Sequence, residues 1–453
     1  MAETADIEQE VVALLEAGER EEALALLTER HPAEIGGTLD ELESAHAFAL
    51  FDGLEHETRA RVIPYVQSAH RLSLLERLDL NEQVRLLTDM DADERVDLYQ
   101  EMPEDWQRRL MPALAKAERE DLLRLASYPE GTVGSVMTSE YAILPAQITS
   151  REAVERLRRQ ALHKETVNIA YVLGADRRLQ GTVTLTGLVV AEDDVPVRDL
   201  MQQEVVQVHA DEPRSEAARL IADYDLLAVP VVDADERMVG IVTHDDAMDV
   251  QEAEATEDIY KGATVRPLET GLRSTALSTL YQKRIGWLVL LVFANVFSGA
   301  SIALHEETIQ AHVGLVFFMP LLIASAGNTG AQSATLMIRA MATGEVVARD
   351  WLYMLVREIA LGLALGLTMA LAVAGIGLLR GGPDVALVVA LTMVIVVLAG
   401  SLIGMSLPFL LERLRLDPAT ASTPLVTFVA DVAGILVYFG MADLLLTMPA
   451  VTG

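Results

Sequence analysis

Asp431 is a carboxylate in the middle of an apolar run. It sits in PLVTFVADVAGILVYFG, two helical turns beyond Pro424, and apolar sequence continues to about Leu446. A charge at that depth of a bilayer costs at least ~2.5–3.5 kcal/mol, so it normally faces a bundle interior or an aqueous path. Helical spacing aligns Thr427, Asp431, Gly434 and Tyr438 into a small-and-polar stripe on a helix otherwise made of Leu, Val and Phe. A structural carboxylate paired with a polar neighbour is one reading; an ion-handling site is the one expected. A second apolar segment, PLLIASAGNTGAQSATLMIRA, carries a matching signature in Gly327, Asn328, Thr329, Gly330, Gln332 and Ser333. Such a stretch is expected to loosen the helix and expose carbonyls, which is tolerated at membrane depth only where it is buried or lines a cavity. Tight packing against a neighbouring helix is the rival. Beside Asp431, a pore lining is the more economical expectation.

A third constellation is acidic. HDDAMDVQEAEATEDIYK places Asp246, Asp249, Glu254, Glu257 and Asp258 on one continuing helix, at spacings that set carboxylates side by side. Like charges so close destabilise the helix unless a cation or a partner neutralises them. Without further context a charge run is a solvated face.

The composition explains how one chain holds both kinds of site. Its 453 residues are 51% hydrophobic yet 23% charged, figures that agree only for a soluble region joined to a membrane region. Residues 284–453 carry 10 acidic and 7 basic side chains, so −29 of the net −32 belongs to residues 1–283. That half repels nucleic acid and anionic lipid headgroups and attracts cations, so no nucleic-acid partner is expected. Lysine is confined to Lys116, Lys164, Lys261 and Lys283, and an acidic, Lys-poor surface equally suits high salt. With no cysteine, disulfides and thiolate metal sites are excluded. The start MAETADIEQE has no basic n-region and no apolar core, so no signal peptide is expected. No phosphate-binding glycine loop, nucleophile–base motif or Cys/His metal site is present, which argues against an enzyme. His163, His209 and His244 are scattered and are expected to be structural or exposed.

The elements that must position these groups follow from periodicity. Residues 1–130 read as short amphipathic helices, among them ESAHAFALFDGL, NEQVRLLTDM and RVDLYQEM, forming a helical superhelix with too irregular a period for a named repeat. Residues 131–200 and 201–250 carry two copies of one plan: Met, a short strand, an amphipathic helix, a β-rich pair around an acidic turn (GADRRLQG, DADERMVG), and a further helix. They resemble a tandem of CBS domains, an α+β pair that implies ligand sensing. Residues 251–283 form an acidic connecting helix and linker. Five apolar segments follow within 284–453, at about 284–303, 314–340, 352–379, 385–411 and 421–447, each long enough to cross ~30 Å of hydrocarbon. Lys283, Arg284, Arg339, Arg349, Arg413 and Arg415 flank one side, which predicts cytoplasmic N-terminal domains and an outside C-terminus.

With the order of these parts, PxxxxxxGNTGxQSATLxIRA around Pro320–Ala340, LDPA at Leu416–Ala419 and PLVxxxxDVxGxLxY at Pro424–Tyr438 resemble the MgtE family of magnesium channels. The resemblance implies a multidomain chain: superhelical α-helical N domain, CBS pair, plug helix and five-helix transmembrane domain. It implies a homodimer in the inner membrane, with a pore on the two-fold axis where Asp431 of each subunit holds hydrated Mg²⁺, lined further by Gly327, Asn328, Gly330, Thr423 and Thr427. A few carboxylates gripping the waters of a reluctantly dehydrated ion make a reasonable filter. The resemblance also makes Asp225, Asp246, Asp249, Glu254, Glu257, Asp258 and Asp417 regulatory Mg²⁺ ligands that lock the pore when cytosolic magnesium is high, with Asp93 and Asp97 as N-domain partners. Two acidic positions of the family are lost at Pro213 and Ser215, which leaves Asp211 or Glu216 to substitute, or one site weakened. Ala326, Ala331 and Thr423 also depart from common family residues, which leaves selectivity among Mg²⁺, Co²⁺ and other divalents open. ATP binding at the CBS pair stays open too. So does the alternative of a carrier for Co²⁺ or another divalent cation coupled to an ion gradient.

Overall fold

The computed structural model describes residues 10–15, 17–161, 164–266, 268 and 275–446, so His163 and residues 269–274 of the linker lie outside the described residues. Two compact units make up the chain, Met1–Glu254 and Ala255–Gly453.

In the first unit, short helices run from Arg20–Thr28 to Lys116–Leu125, each turning a corner into the next. Their inward stripes, including Leu27, Leu39, Phe51, Ile63, Leu74, Leu87 and Leu98, form one core. Each such side chain contributes about 1.5–3 kcal/mol by leaving water. The corners follow a rule that the apolar pattern hides. Arg59, Arg71, Gln83, Arg95 and Gln107 recur at every twelfth residue. Each reaches back to the last carbonyls of the preceding helix: Arg59 Nε to Leu54 O (2.9 Å), Arg71 Nε to Val66 O (3.0 Å) and Gln83 Nε2 to Leu75 O (2.8 Å). Arg95 donates to Leu87 O and Met90 O, and Gln107 to Tyr99 O and Met102 O, each within hydrogen-bond distance. These are the carbonyls a helix end leaves unbonded, so one side chain per corner closes each turn. Between Arg59 and Gln107 the corners thus recur regularly, although the apolar residues keep no regular period.

Two three-stranded sheets follow. β1 (Tyr141–Ile143) pairs in parallel with β2 (Thr166–Leu173), which pairs antiparallel with β3 (Leu179–Thr184). β4 (Val208–His209), β5 (Ala228–Val232) and β6 (Met238–Thr243) repeat that order and sense. The two acidic turns are equivalent in backbone: Arg177 and Glu236, each following an Asp, take φ of +65° and +62°. The repeats interlock where Thr138 exchanges backbone hydrogen bonds with Ile241, over a core of Tyr141, Tyr171, Ala228, Met238 and Ile241.

The second unit contains five helices long and apolar enough to cross a membrane: Leu277–Ala303, Gly314–Ala342, Ala348–Arg380, Gly382–Arg413 and Thr423–Leu445. The first of these helices begins at Leu277, with its apolar run following Lys283 and Arg284. The short helix Glu306–Ala311 occupies the loop before the second span. Third and fourth spans meet at Gly382, whose φ of +76° turns the chain without a loop. The bundle core joins the second, fourth and fifth spans through Leu315, Phe318, Val389, Met393, Ile435 and Tyr438, and Tyr438 Oη donates to Leu315 O at 2.9 Å. The first span stays largely exposed, with Leu288, Val292, Phe293, Val296 and Phe297 outward.

Candidate functional site

In the membrane unit, Gly327 of the second span faces Thr427 and Asp431 of the fifth. A Cβ on Gly327 would stand 2.8 Å from Thr427 Cγ2 and 3.0 Å from Asp431 Oδ1. Asp431 Oδ1 is buried and receives no hydrogen bond. An unpaired carboxylate oxygen is costly away from water, and a cation or its bound water satisfies it.

The helix around Gly327 is not loosened. Gly314–Ala342 is one continuous α-helix, because its small residues are used for close packing instead. Gly330 turns to the fourth span: its added Cβ would lie 2.9 Å from Gly400 O, and one on Gly404 would lie 2.0 Å from Gly330 O. Gly330 therefore belongs to a helix crossing rather than to the Asp431 site. Asn328 and Thr423 stay exposed on the surface of the single chain, so only Gly327, Thr427 and Asp431 of the expected pore residues converge. Glu358 on the third span, which sequence reasoning passed over, accepts hydrogen bonds from Ser333 and Ser401 and ties the second, third and fourth spans together. A lone Glu inside the third apolar run was the available signal.

In the first unit, Asp93 on the helix Ala92–Glu101 comes close to Asp246, near the start of the helix His244–Gly262, while Asp97, on the same helix as Asp93, has Asp93, Glu101 and Glu130 as its acidic neighbours. Asp91, Glu94, Glu140, Glu165 and Asp245 join them, all unflagged by sequence spacing. Burial pushes the Asp246 carboxyl up to about 9, with Asp93 adding repulsion and the Thr243 hydroxyl opposing it. Burial first, then neighbouring carboxylates, raises Glu94 and Glu165 to about 8 and Asp97 to about 6. Asp93 is raised for the same reasons. Against them stands Arg95, 3.7 Å from Glu140 and occupied with helix carbonyls. Asp93 Oδ1 and Glu165 Oε2 are buried with no hydrogen-bond partner. Crowded carboxylates with orphaned oxygens fit a divalent cation chemically. Even so, no three Asp, Glu or His groups among the described residues converge into a ready metal cage.

The remaining expected ligands separate. Asp246, Asp249, Glu254, Glu257 and Asp258 do lie on one helix. Glu254 is paired with Arg214 at 3.0 Å, while Glu257 and Asp417 share Lys261. Burial lowers the Lys261 pKa, but hydrogen bonds to Asp417 and Glu257 outweigh it and hold the ammonium above the usual range. Asp249 is exposed near Asp245 and Glu252, and Asp225 is exposed with φ +51°. Of the two substitutes, Glu216 is committed to Arg219 and Asp211 is exposed.

Residues 319–441 match the MgtE family model, described as a divalent cation transporter. Residues 30–131 match the MgtE intracellular N domain and 197–253 the CBS domain. The chain is similar to the magnesium transporter MgtE of Thermus thermophilus, at 41% identity over 71% of this chain and 72% of that one. Similarity to the Bacillus subtilis magnesium transporter MgtE is 34% over 70% of each chain. A crystal structure of the cytosolic domain of the Mg²⁺ channel MgtE in complex with ATP superposes with a TM-score of 0.52 at 31% identity, covering 54% of this chain and 99% of that one. The soluble part of a magnesium transporter superposes equally well, with a TM-score of 0.52 at 28% identity, covering 56% of this chain and 99% of that one.

Proposed function

This chain belongs to the MgtE family of divalent cation transporters, and on that premise we propose that it is a Mg²⁺-selective channel for Mg²⁺ uptake, closed by cytosolic Mg²⁺. Membership makes it a multi-pass membrane protein of a transporter family, not an enzyme. The observation that carries the channel reading is the buried, unbonded Asp431 Oδ1 opposite the bare backbone of Gly327. Mg²⁺ keeps most of its waters, so the residues needed are a carboxylate to accept hydrogen bonds from those waters and room for the hydrated ion. Asp431 supplies the first, and Gly327, with no side chain, lets the second span lie close against it.

The proposed assembly is a homodimer in the inner membrane, with Asp431 of both subunits on the two-fold axis. Exposed Asn328 and Thr423 then gain a partner surface. The basic flanks of the spans support cytosolic N-terminal domains and an outside C-terminus. We keep the domain limits 1–130, 131–200, 201–250, 251–283 and 284–453. Gating rests on the acidic groups. Mg²⁺ favours the closed form only by the extra ligands it meets there. Asp93, Asp97 and Asp246 supply such ligands in the first unit, and Glu257, Asp258 and Asp417 in the second. ATP at the CBS pair is supported by the ATP complex of the similar cytosolic domain.

The test is Mg²⁺ flux into proteoliposomes holding the full chain, with internal Mg²⁺ varied and no proton gradient. The expected result is flux in the wild type that declines at millimolar internal Mg²⁺, and none in Asp431→Ala. Flux that needs an imposed proton or sodium gradient, or carries Co²⁺ in preference, would instead establish a coupled carrier.

A further inference from the structure

His305 and Asp443 meet where the first span gives way to the short helix Glu306–Ala311 and the fifth span nears its end. His305 Nδ1 lies 3.0 Å from Ser301 O. A carbonyl can only accept, so Nδ1 carries the proton and Nε2 keeps its lone pair in the neutral ring. The ring also stacks on Phe439, with centroids 5.2 Å apart and planes 18° from parallel, which fixes where that lone pair points. Facing it, Asp443 uses Oδ1 to accept from the Thr308 hydroxyl and turns Oδ2 towards the imidazole.

Nε2 and Oδ2 are 3.6 Å apart. Two lone-pair atoms held at that distance repel unless a cation stands between them. The gap is too long for a hydrogen bond. It suits one ion: Zn–N and Zn–O bonds of ~2.0–2.1 Å span it at an angle of about 120°, close to tetrahedral. A backbone carbonyl behind the imidazole and a hydroxyl behind the carboxylate are the kind of outer partners that orient metal ligands. Both residues line a cavity of about 270 Å³, whose wall also carries Glu307 and His312. His312 Nε2 is buried with no hydrogen-bond partner, a deficit that water on a bound ion can meet. No three Asp, Glu or His groups form a cage among the described residues, so His305 and Asp443 are the two direct ligands and water completes the shell.

We propose that this cavity binds a transition-metal dication, with Zn²⁺ the best fit. Imidazole favours Zn²⁺, whereas Mg²⁺ prefers oxygen donors, so the occupant differs from the proposed cargo. The site is also separate from Asp431, which lies on the same helix about 18 Å earlier. An ion here clips the loop helix to the end of the fifth span.

The test is Zn²⁺ titration of the tag-free full-length protein in detergent, in millimolar Mg²⁺ to fill all-oxygen sites, with zinc-edge X-ray absorption as a second reading. Wild type is expected to bind a Zn²⁺ that the double variant His305→Gln, Asp443→Asn does not, with imidazole in its ligand shell. Asp443→Asn alone still accepts from Thr308, so it tests the ligand without disturbing that contact, and it weakens Zn²⁺ as well. Thr308→Val keeps both ligands but frees the carboxylate to rotate, and weakens Zn²⁺ about tenfold. Melting temperatures without Zn²⁺ stay at the wild-type value in Asp443→Asn. Equal Zn²⁺ binding by wild type and Asp443→Asn, or a zinc shell of oxygen alone, would overturn the proposal.

Discussion

Lys261 Nζ lies 2.6 Å from Asp417 Oδ2, and the same ammonium is 2.7 Å from Glu257 Oε1. Two carboxylates from distant segments are thus bridged by the chain's own cation. Mg²⁺ at these oxygens must displace it. In Lys261→Gln the carboxylates face each other without a resident charge. Half-inhibition of flux is then expected at a Mg²⁺ concentration roughly fivefold lower, the equivalent of ~1 kcal/mol for a partly exposed pair. An internal Mg²⁺ titration of flux reads the shift, and a curve that is unmoved or displaced upward counts against a shared site.

Gly327 and Gly434 offer a paired test of the membrane site. Alanine at Gly327 brings a methyl within 2.8 Å of Thr427 Cγ2 and 3.0 Å of Asp431 Oδ1, whereas at Gly434 its nearest neighbour is 3.5 Å away. Overpacking of this kind costs about 1–3 kcal/mol, so Gly327→Ala is expected to cut flux about tenfold or more. Gly434→Ala keeps wild-type flux. Equal flux in the two variants would separate Gly327 from the ion path.

The acidic cluster sets a pH dependence with a definite sign. Asp246, Glu94, Glu165 and Asp97 hold protons in the folded protein up to about 9, 8, 8 and 6. The unfolded chain releases them near the ordinary ~4. Between those limits the folded state binds more protons, so stability falls as pH rises. The contribution is complete below ~4 and lost through the folded values. In chelator, the cytosolic melting transition should therefore drop from pH 5 to pH 9. Millimolar Mg²⁺ should raise it at pH 9 and leave it nearly unchanged at pH 5. A transition that climbs with pH in chelator contradicts the assignment.

Gln83 Nε2 serves Leu75 O at 2.8 Å and Leu78 O at 3.2 Å. Gln83→Leu fits the space but strands both carbonyls, at a cost of about 1–3 kcal/mol per buried group. Gln83→Arg preserves the donor used at Arg71 and Arg95, and is expected to recover most of the loss in a denaturant titration. Failure of that rescue would mean that packing, not capping, fixes the corner.

The five spans and the doubled β-rich plan are legible because hydrophobic runs and alternation are local properties of the chain. Asp431 is legible for the same reason, as an anomaly inside one run. The carboxylate cluster is not. Glu140 and Glu165 lie far in sequence from Asp93, and only the folding of the first unit brings them near it. The small residues of the second span misled in another way. Glycine allows both an opened backbone and a tight crossing, and Gly330 takes the second because Gly400 and Gly404 meet it from the fourth span. The twelve-residue recurrence of Arg59, Arg71, Gln83, Arg95 and Gln107 was present in the letters. It stayed hidden because two residue types do the same job there and the apolar positions between them drift.

The corner at Gly382 bears on how this protein is made. Third and fourth spans follow each other with only the short tip at residues 380–384 between their apolar runs, so no long polar segment has to be carried across the bilayer by itself. Neither span can be left behind while the other integrates. The pair is built to enter the membrane as one hairpin that turns at the left-handed Gly382.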